Sequence, residues 1–166
     1  MGSGMEYRCR SCGNTYYACF GIGMFFPEEY AKVLKKIKKG KYGKELQEIA
    51  LNTPHVAVDA ETYLYECRKC GNWRIEEGLS LYEPDDFELL KDIEFGQKTV
   101  RQLGEMPYVM WSDIRKYYHI VKRYVHKCDK CGSRMHKLTV DEIDSLPCPK
   151  CGGEPDEDFT TDIRWD

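Results

Sequence analysis

Hydrophobic and polar positions change period several times along the chain. Met5-Glu6-Tyr7-Arg8-Cys9 alternates apolar and charged residues, which predicts a strand, and Thr15–Phe20 reads as its return. Gly21-Ile22-Gly23 breaks that pattern. From Pro27 the period becomes helical: Tyr30, Val33, Leu34 and Ile37 form one apolar face. Pro27 suits a first helical position, and Glu28 and Glu29 complement the positive end of the dipole. Gly40 ends the helix, predicted over about 27–39. A second helix is predicted over about 44–51, with Leu46, Ile49 and Ala50 inward, before Asn52-Thr53-Pro54 stops it.

Val56 to Cys67 reads as a strand, and so do Trp73-Arg74-Ile75 and, after the Glu77-Gly78 turn, Leu79 to Tyr82. Pro84-Asp85-Asp86 marks a boundary, with a short helix expected from Phe87 to Ile93, capped by Asp85 or Asp86. Gly96 to Met110 reads as irregular, and Ser112-Asp113 opens a helical turn. Tyr117 to Lys127 is the strongest strand signal, through Tyr118, Ile120, Val121, Tyr124 and Val125. Arg134 to Val140 is expected to return, Asp141 to Ser145 to link, and Phe159 to Trp165 to form a last strand. Met1 to Gly4 reads as an expression scar and is set aside.

Four short stretches punctuate these elements. Cys9-Arg10-Ser11-Cys12-Gly13, Cys67-Arg68-Lys69-Cys70-Gly71, Cys128-Asp129-Lys130-Cys131-Gly132 and Cys148-Pro149-Lys150-Cys151-Gly152 all read Cys-x-x-Cys-Gly. Two thiolates at this spacing reach one metal from the same side, and the glycine lets the turn leave with positive φ. Four such knuckles supply eight thiolates, enough for two closed tetrahedral zinc sites. Only 16 residues separate the third knuckle from the fourth, and short loops close at lower entropic cost. Of the three possible pairings, that favours the sequential one: Cys9, Cys12, Cys67 and Cys70 in site 1, and Cys128, Cys131, Cys148 and Cys151 in site 2, ahead of an interleaved cross-brace, with nested pairing the least expected. Iron in tetrahedral sulfur is the minor alternative to two Zn2+. Disulfides fit poorly, because no signal peptide is visible and a cytoplasmic location is expected. Cys19 is left over as a small buried hydrophobe.

The fold class expected is α+β: two zinc-ribbon-like modules of short antiparallel strands, at 5–83 with an inserted helical hairpin and at 84–166. Charge adds little to this picture. Residues 1–83 carry 12 basic and 11 acidic groups (net +1) and residues 84–166 carry 13 and 17 (net −4), giving −3 in all. A chain built to grip nucleic acid by its backbone usually shows a strong basic excess. No apolar run approaches membrane-spanning length.

Glu6-Tyr7-Arg8-Cys9-x-x-Cys12-Gly13 and Cys148-Pro149-x-Cys151-Gly152 resemble the knuckles of the zinc-ribbon superfamily. The whole chain is similar to uncharacterised bacterial zinc-ribbon proteins with a helical insert. The resemblance implies a fold and a metal, and widens the expectation of macromolecular binding without choosing a task.

Closed sites of four cysteines leave zinc no open position at which to activate water, and no phosphate loop, His-Glu-x-x-His or serine elbow is present. The expectation is therefore a non-enzymatic, zinc-stabilised module that binds a protein partner. A nucleic-acid-binding role is the first alternative, through Lys32, Lys35, Lys36, Lys38, Lys39, Lys41 and Lys44 with Arg8, Arg10 and Arg68. The solvated-face reading of those lysines is the blander one. A thiol and zinc redox sensor is the second alternative. Tyr7, Tyr16, Tyr17, Phe20, Phe25 and Phe26 are expected to be core more than base-stacking surface. His126 and His136 flank a knuckle and are candidates to support the sulfurs, while His55 and His119 show no ligand spacing. The acidic stretch Glu154 to Asp158 reads as a solvated loop.

Overall fold

The computed structural model describes residues 2–21, 23–139, 143 and 146–165. It is an α+β chain of short strands in small sheets with four helices among the described residues. Val140, the link residues Asp141, Glu142, Asp144 and Ser145, and Ile22 of the expected break lie outside the described residues.

Two compact units are present, and neither is a continuous half of the chain. The first comprises Met1–Met24, Glu61–Glu76 and Val125–Asp166; the second comprises Phe25–Ala60 and Glu77–Tyr124. The expected modules at 5–83 and 84–166 are thus corrected. The knuckle-bearing segments gather into one unit, and the excursions that follow knuckles one and two build the other. The physical reason is that two strands from each half pair across the chain.

In the first unit, β1 (Gly2–Arg8) lies between β11 (Thr161–Trp165) and β2 (Thr15–Phe20), antiparallel to both. Gly2, Ser3 and Gly4, set aside in the sequence, are strand residues, and Ser3 and Gly4 are paired on both sides. A second sheet runs β10 (His136–Lys137), β4 (Thr62–Glu66), β5 (Trp73–Glu77). One core joins the two sheets. Tyr7, Tyr16 and Ala18 from the first bury against Leu64 of β4 and against Ile143, Leu146 and Cys148, with Trp73 and Ile75 at the margin. The Tyr7 and Tyr16 rings stack at 5.3 Å. Burying either aromatic contributes on the order of 2 kcal/mol.

The second unit carries the helices. α1 (Phe26–Lys38) has Pro at its start and buries Phe26, Tyr30, Val33 and Ile37. α2 (Lys44–Asn52) buries Leu46 and Ala50. Both match the periodicity within a residue or so. β3 (Ala57–Val58), β6 (Leu81–Pro84) and β9 (Tyr118–Lys122) form its sheet. Asp86 caps a short 3-10 turn at Phe87–Leu90, its side chain accepting from the Glu88 N–H. The stretch expected to be irregular from Gly96 holds β8 (Lys98–Thr99), which forms a hairpin with β7 (Glu94–Phe95) just before it, and then α3 (Val100–Leu103).

The strong β signal at Tyr117–Lys127 is only partly realised. Tyr117 ends α4 (Trp111–Tyr117), and β9 stops at Lys122. The Tyr124 N–H then donates to Ser80 Oγ at 3.1 Å, so the chain leaves the ladder to deliver the third knuckle. Among the described residues of the expected return, Arg134–Thr139, the strand is β10, two residues that pair with Glu66 and Tyr65.

On β9 the His119 ring lies between two carboxylates, Nδ1 2.8 Å from Asp85 and Nε2 2.9 Å from Glu83. Asp85 first, and Glu83 behind it, raise the imidazole pKa against a smaller opposing effect of burial. A raised folded-state pKa stabilises below the unfolded value of about 6.5, and that stability is lost as pH rises through the folded value. An NMR titration should place His119 above its value in unfolded chain and return it towards that value in Asp85→Asn. An unshifted His119 in the parent would contradict the bridging geometry.

Candidate metal centres

All four knuckles share one backbone. The first cysteine's N–H donates to the carbonyl five residues on, at 2.8 Å in each case: Cys9 to Asn14, Cys67 to Asn72, Cys128 to Ser133 and Cys148 to Gly153. The glycine N–H donates back to the first cysteine's carbonyl at 2.9, 2.8, 2.8 and 2.7 Å in chain order. Gly13, Gly71, Gly132 and Gly152 have φ of 69, 68, 70 and 73°. A Cβ at any of them would meet nothing within 4 Å, so glycine is required there by conformation and not by space.

The knuckles pair in a nested way. Cys9, Cys12, Cys148 and Cys151 form an outer group; Cys67, Cys70, Cys128 and Cys131 form an inner group, and in each the four sulfurs lie within 4.8 Å of one another. Sequential pairing of the first knuckle with the second, and of the third with the fourth, is therefore corrected. Loop entropy was too weak a guide. Nested closure encloses 57 residues and then a further 54 and 16, against 54 and 16 separately, a difference of about 1.4 kcal/mol at (3/2)RT ln n. One buried tyrosine outweighs that. Strand contacts hold each pair: Arg10 N–H donates to Glu154 carbonyl at 3.0 Å and Asp156 N–H to Arg8 carbonyl at 2.7 Å beside the outer group. Beside the inner group His136 pairs with Glu66 and Lys137 with Tyr65, and Leu138 N–H donates to the Leu64 carbonyl at 2.9 Å.

Cross-knuckle sulfur separations are 3.5 Å (Cys9–Cys151), 3.8 Å (Cys12–Cys148) and 3.4 Å (Cys12–Cys151) in the outer group. In the inner group they are 3.4 Å (Cys67–Cys131) and 3.6 Å (Cys70–Cys128). A disulfide needs about 2.05 Å. Four sulfurs about 2.3 Å from one tetrahedral metal sit about 3.8 Å apart. Each group could therefore hold a metal ion with every coordination position filled by protein. The first cysteine of every knuckle is buried, whereas Cys12, Cys70 and Cys151 are exposed and Cys131 is half-buried.

Without a cation the sulfurs of a group share their protons unevenly. The Cys12 N–H, above all, favours the Cys9 thiolate, and the Cys9 pKa falls to about 6. Ser133 does the same for Cys131, also to about 6. Cys70 and Cys151 each receive a backbone N–H, from Asn72 and Gly153, but burial and the neighbouring sulfurs outweigh it and push both up to about 12. Four thiolates are thus stable together only around a positive charge.

Sequence reasoning missed the residues that buttress these sulfurs. Asn14 Nδ2 donates to Cys148 Sγ at 3.8 Å, and Asn72 Nδ2 donates to Cys128 Sγ at 3.7 Å. Each asparagine follows the glycine of one knuckle and reaches the first sulfur of the partner knuckle. Asn72 also donates to Asp129 at 2.9 Å. A signal was present: 7–14 and 65–72 both read Tyr-x-Cys-Arg-x-Cys-Gly-Asn, whereas 128–132 and 148–152 both read Cys-x-Lys-Cys-Gly. Each centre takes one knuckle of each kind. Trp73 links the centres, its Nε1 donating at 2.7 Å to the Pro147 carbonyl just before Cys148. Gly153 lets the outer knuckles close, since a Cβ there would lie 2.7 Å from Ser11 Oγ and 3.2 Å from Cys9 Sγ.

The remaining candidates fall outside both groups. Cys19, on β2 opposite Gly4, is half-buried, and burial raises its thiol pKa. His126 is buried with its ring 4.0 Å from that of Tyr65, and His136 sits in β10. Tyr7, Tyr16 and Phe26 are core as expected, while Tyr17 and Phe25 are exposed. Arg8, Arg10 and Arg68 belong to the first unit and the seven lysines of 32–44 to the second. Of those lysines, Lys32 pairs with Glu29 and Lys36 with Glu77; Lys35, Lys38, Lys39, Lys41 and Lys44 are exposed with no ion pair among the described residues.

Removing an outer-shell hydrogen bond from a metal ligand costs about 10–100-fold in metal affinity. Asn14→Ala should weaken only the outer centre and Asn72→Ala only the inner, read by competition with a chromophoric chelator. Gly153→Ala should weaken the outer centre through crowding and leave the inner at parental affinity. Equal weakening of both centres by either asparagine change would contradict the assignment.

No family model matches this chain, and no curated protein or solved structure matches it.

Proposed function

We propose that the chain is a zinc-stabilised, non-enzymatic binding protein whose task is to present a rigid surface to a protein partner. The observation that carries this reading is the pair of closed four-sulfur groups, at Cys9, Cys12, Cys148 and Cys151 and at Cys67, Cys70, Cys128 and Cys131. Four thiolates at tetrahedral spacing suit zinc, and such sites contribute folding free energy rather than a reactive water. Paired knuckles on antiparallel strands are also what the zinc-ribbon resemblance implies. Each unit also exposes large apolar side chains that a protein partner could cover: Phe25 and Leu89 are each 65% exposed and Met110 about half in the second, with Phe159 and Tyr17 about half exposed in the first.

One observation favours a second reading. The five unpaired lysines at 35–44 cluster where α1 ends and α2 begins, an arrangement suited to a polyanion such as nucleic acid. In the protein-partner reading they complement the α1 dipole and stay solvated.

Metal analysis of the purified chain should return two zinc ions. Each ion contributes on the order of 10 kcal/mol to folding. A strong chelator should therefore abolish the near-ultraviolet circular dichroism of the first unit's tyrosines. The metal-loaded chain should hold a protein partner that the chelated chain releases. Retention of the fold after both metals are removed would overturn the reading. Binding to a short duplex that weakens steeply with salt, and disappears when the five lysines become glutamine, would replace the protein partner by nucleic acid.

A further inference from the structure

β11 is an edge strand. It pairs with β1 along one side through Gly2–Trp165, Ser3–Arg164, Gly4–Ile163, Met5–Asp162 and Glu6–Thr161, and it ends the order β11-β1-β2. Among the described residues no strand pairs with its other side, which leaves backbone groups there open to a partner. Edge strands are commonly protected by proline, a bulge or like charges. Thr161–Trp165 has no proline, its register with β1 is unbroken, and its only two charges, Asp162 and Arg164, are opposite in sign. Both are exposed, and neither has an ion pair among the described residues.

These charges are self-complementary. If a second β11 pairs antiparallel with its Ile163 opposite Ile163, Asp162 of each copy faces Arg164 of the other. Directly opposed residues share a face, so both ion pairs form on one side of the joined sheet. Register shifts of two residues place Asp162 against Asp162 or Arg164 against Arg164, which is repulsive. Shifts of one residue turn the charges to the opposite face from their partners. The sequence thus selects one register out of the near alternatives. A groove of about 210 Å3 crosses this sheet, lined by Met5 of β1, Phe20 of β2, Asp162, Ile163 and Arg164 of β11, and Ile143.

We propose that β11 is a homodimerisation strand, whose occupant is the β11 of a second copy about a two-fold axis through Ile163. The contact is isologous, so it closes at two copies and does not propagate. It joins two three-stranded sheets into one of six strands. The proposal is independent of what the protein binds.

The test is sedimentation velocity on the metal-loaded full chain across micromolar concentrations, with Asp162→Arg, Arg164→Asp and the double reversal. Zinc per chain on the same samples verifies that each variant is folded. The parent should dimerise. Each single reversal, which opposes like charges, should weaken dimerisation at least about tenfold. The double reversal should restore it, because the swapped charges face each other again. A parent that stays monomeric throughout overturns the proposal. So does a dimer indifferent to the single reversals, or single reversals that the double does not rescue. Two zinc ions per chain in a strictly monomeric parent would sink the dimer and leave the metal reading intact.

Discussion

Mutual repulsion among clustered thiolates is the constraint on which this structure depends. Each group brings four sulfurs within 4.8 Å, and free thiols there hold protons that a metal must displace. A divalent cation held there would turn the least favourable part of the unit into its strongest tie. The neighbouring core is modest: Tyr7, Tyr16, Ala18 and Leu64 around one centre, Tyr65 and Met135 around the other. Small cores of this kind are usually supplemented by a staple. Half of the ligand sulfurs are themselves core residues, Cys9, Cys67, Cys128 and Cys148 being almost fully buried. A metal bound by these sulfurs would therefore stabilise the same region as the hydrophobic packing.

Nesting follows from how the strands pair. β1 and β11, from opposite ends of the chain, lie side by side and carry the first knuckle to the fourth. β4 and β10 do the same for the second and third. The shared core and the Trp73–Pro147 hydrogen bond then tie one centre to the other. The excursions that leave this unit after knuckles one and two supply the helices and the β3-β6-β9 sheet of the second unit.

Much of this was legible in residues with strong local meaning. Cysteine spacing named all eight sulfurs, and the glycine after each pair announced the left-handed turn found at all four. α1 and α2 followed from a clean helical period, and β2 was read to the residue because Tyr16 and Ala18 alternate with exposed Thr15 and Tyr17. What failed were non-local choices. Loop length separates sequential from nested pairing by about 1.4 kcal/mol, less than one buried aromatic contributes. The asparagines at 14 and 72 carried the better signal, because they divide the knuckles into two kinds and each centre needs one of each. The long β signal at Tyr117–Lys127 misled for a different reason. After Lys122 the Tyr124 N–H turns to Ser80 Oγ, so these β-forming residues serve a connection instead of a ladder.

Nested coordination is the central claim, and two double variants decide it. Native mass spectrometry under competing chelator would count the zinc held by Cys12→Ser/Cys151→Ser and by Cys12→Ser/Cys70→Ser. Nested pairing puts Cys12 and Cys151 in the same centre, so the first variant keeps one complete site and one zinc, whereas the second damages both sites and keeps none. The reverse result, no zinc in the first and one in the second, would contradict the account and restore sequential pairing.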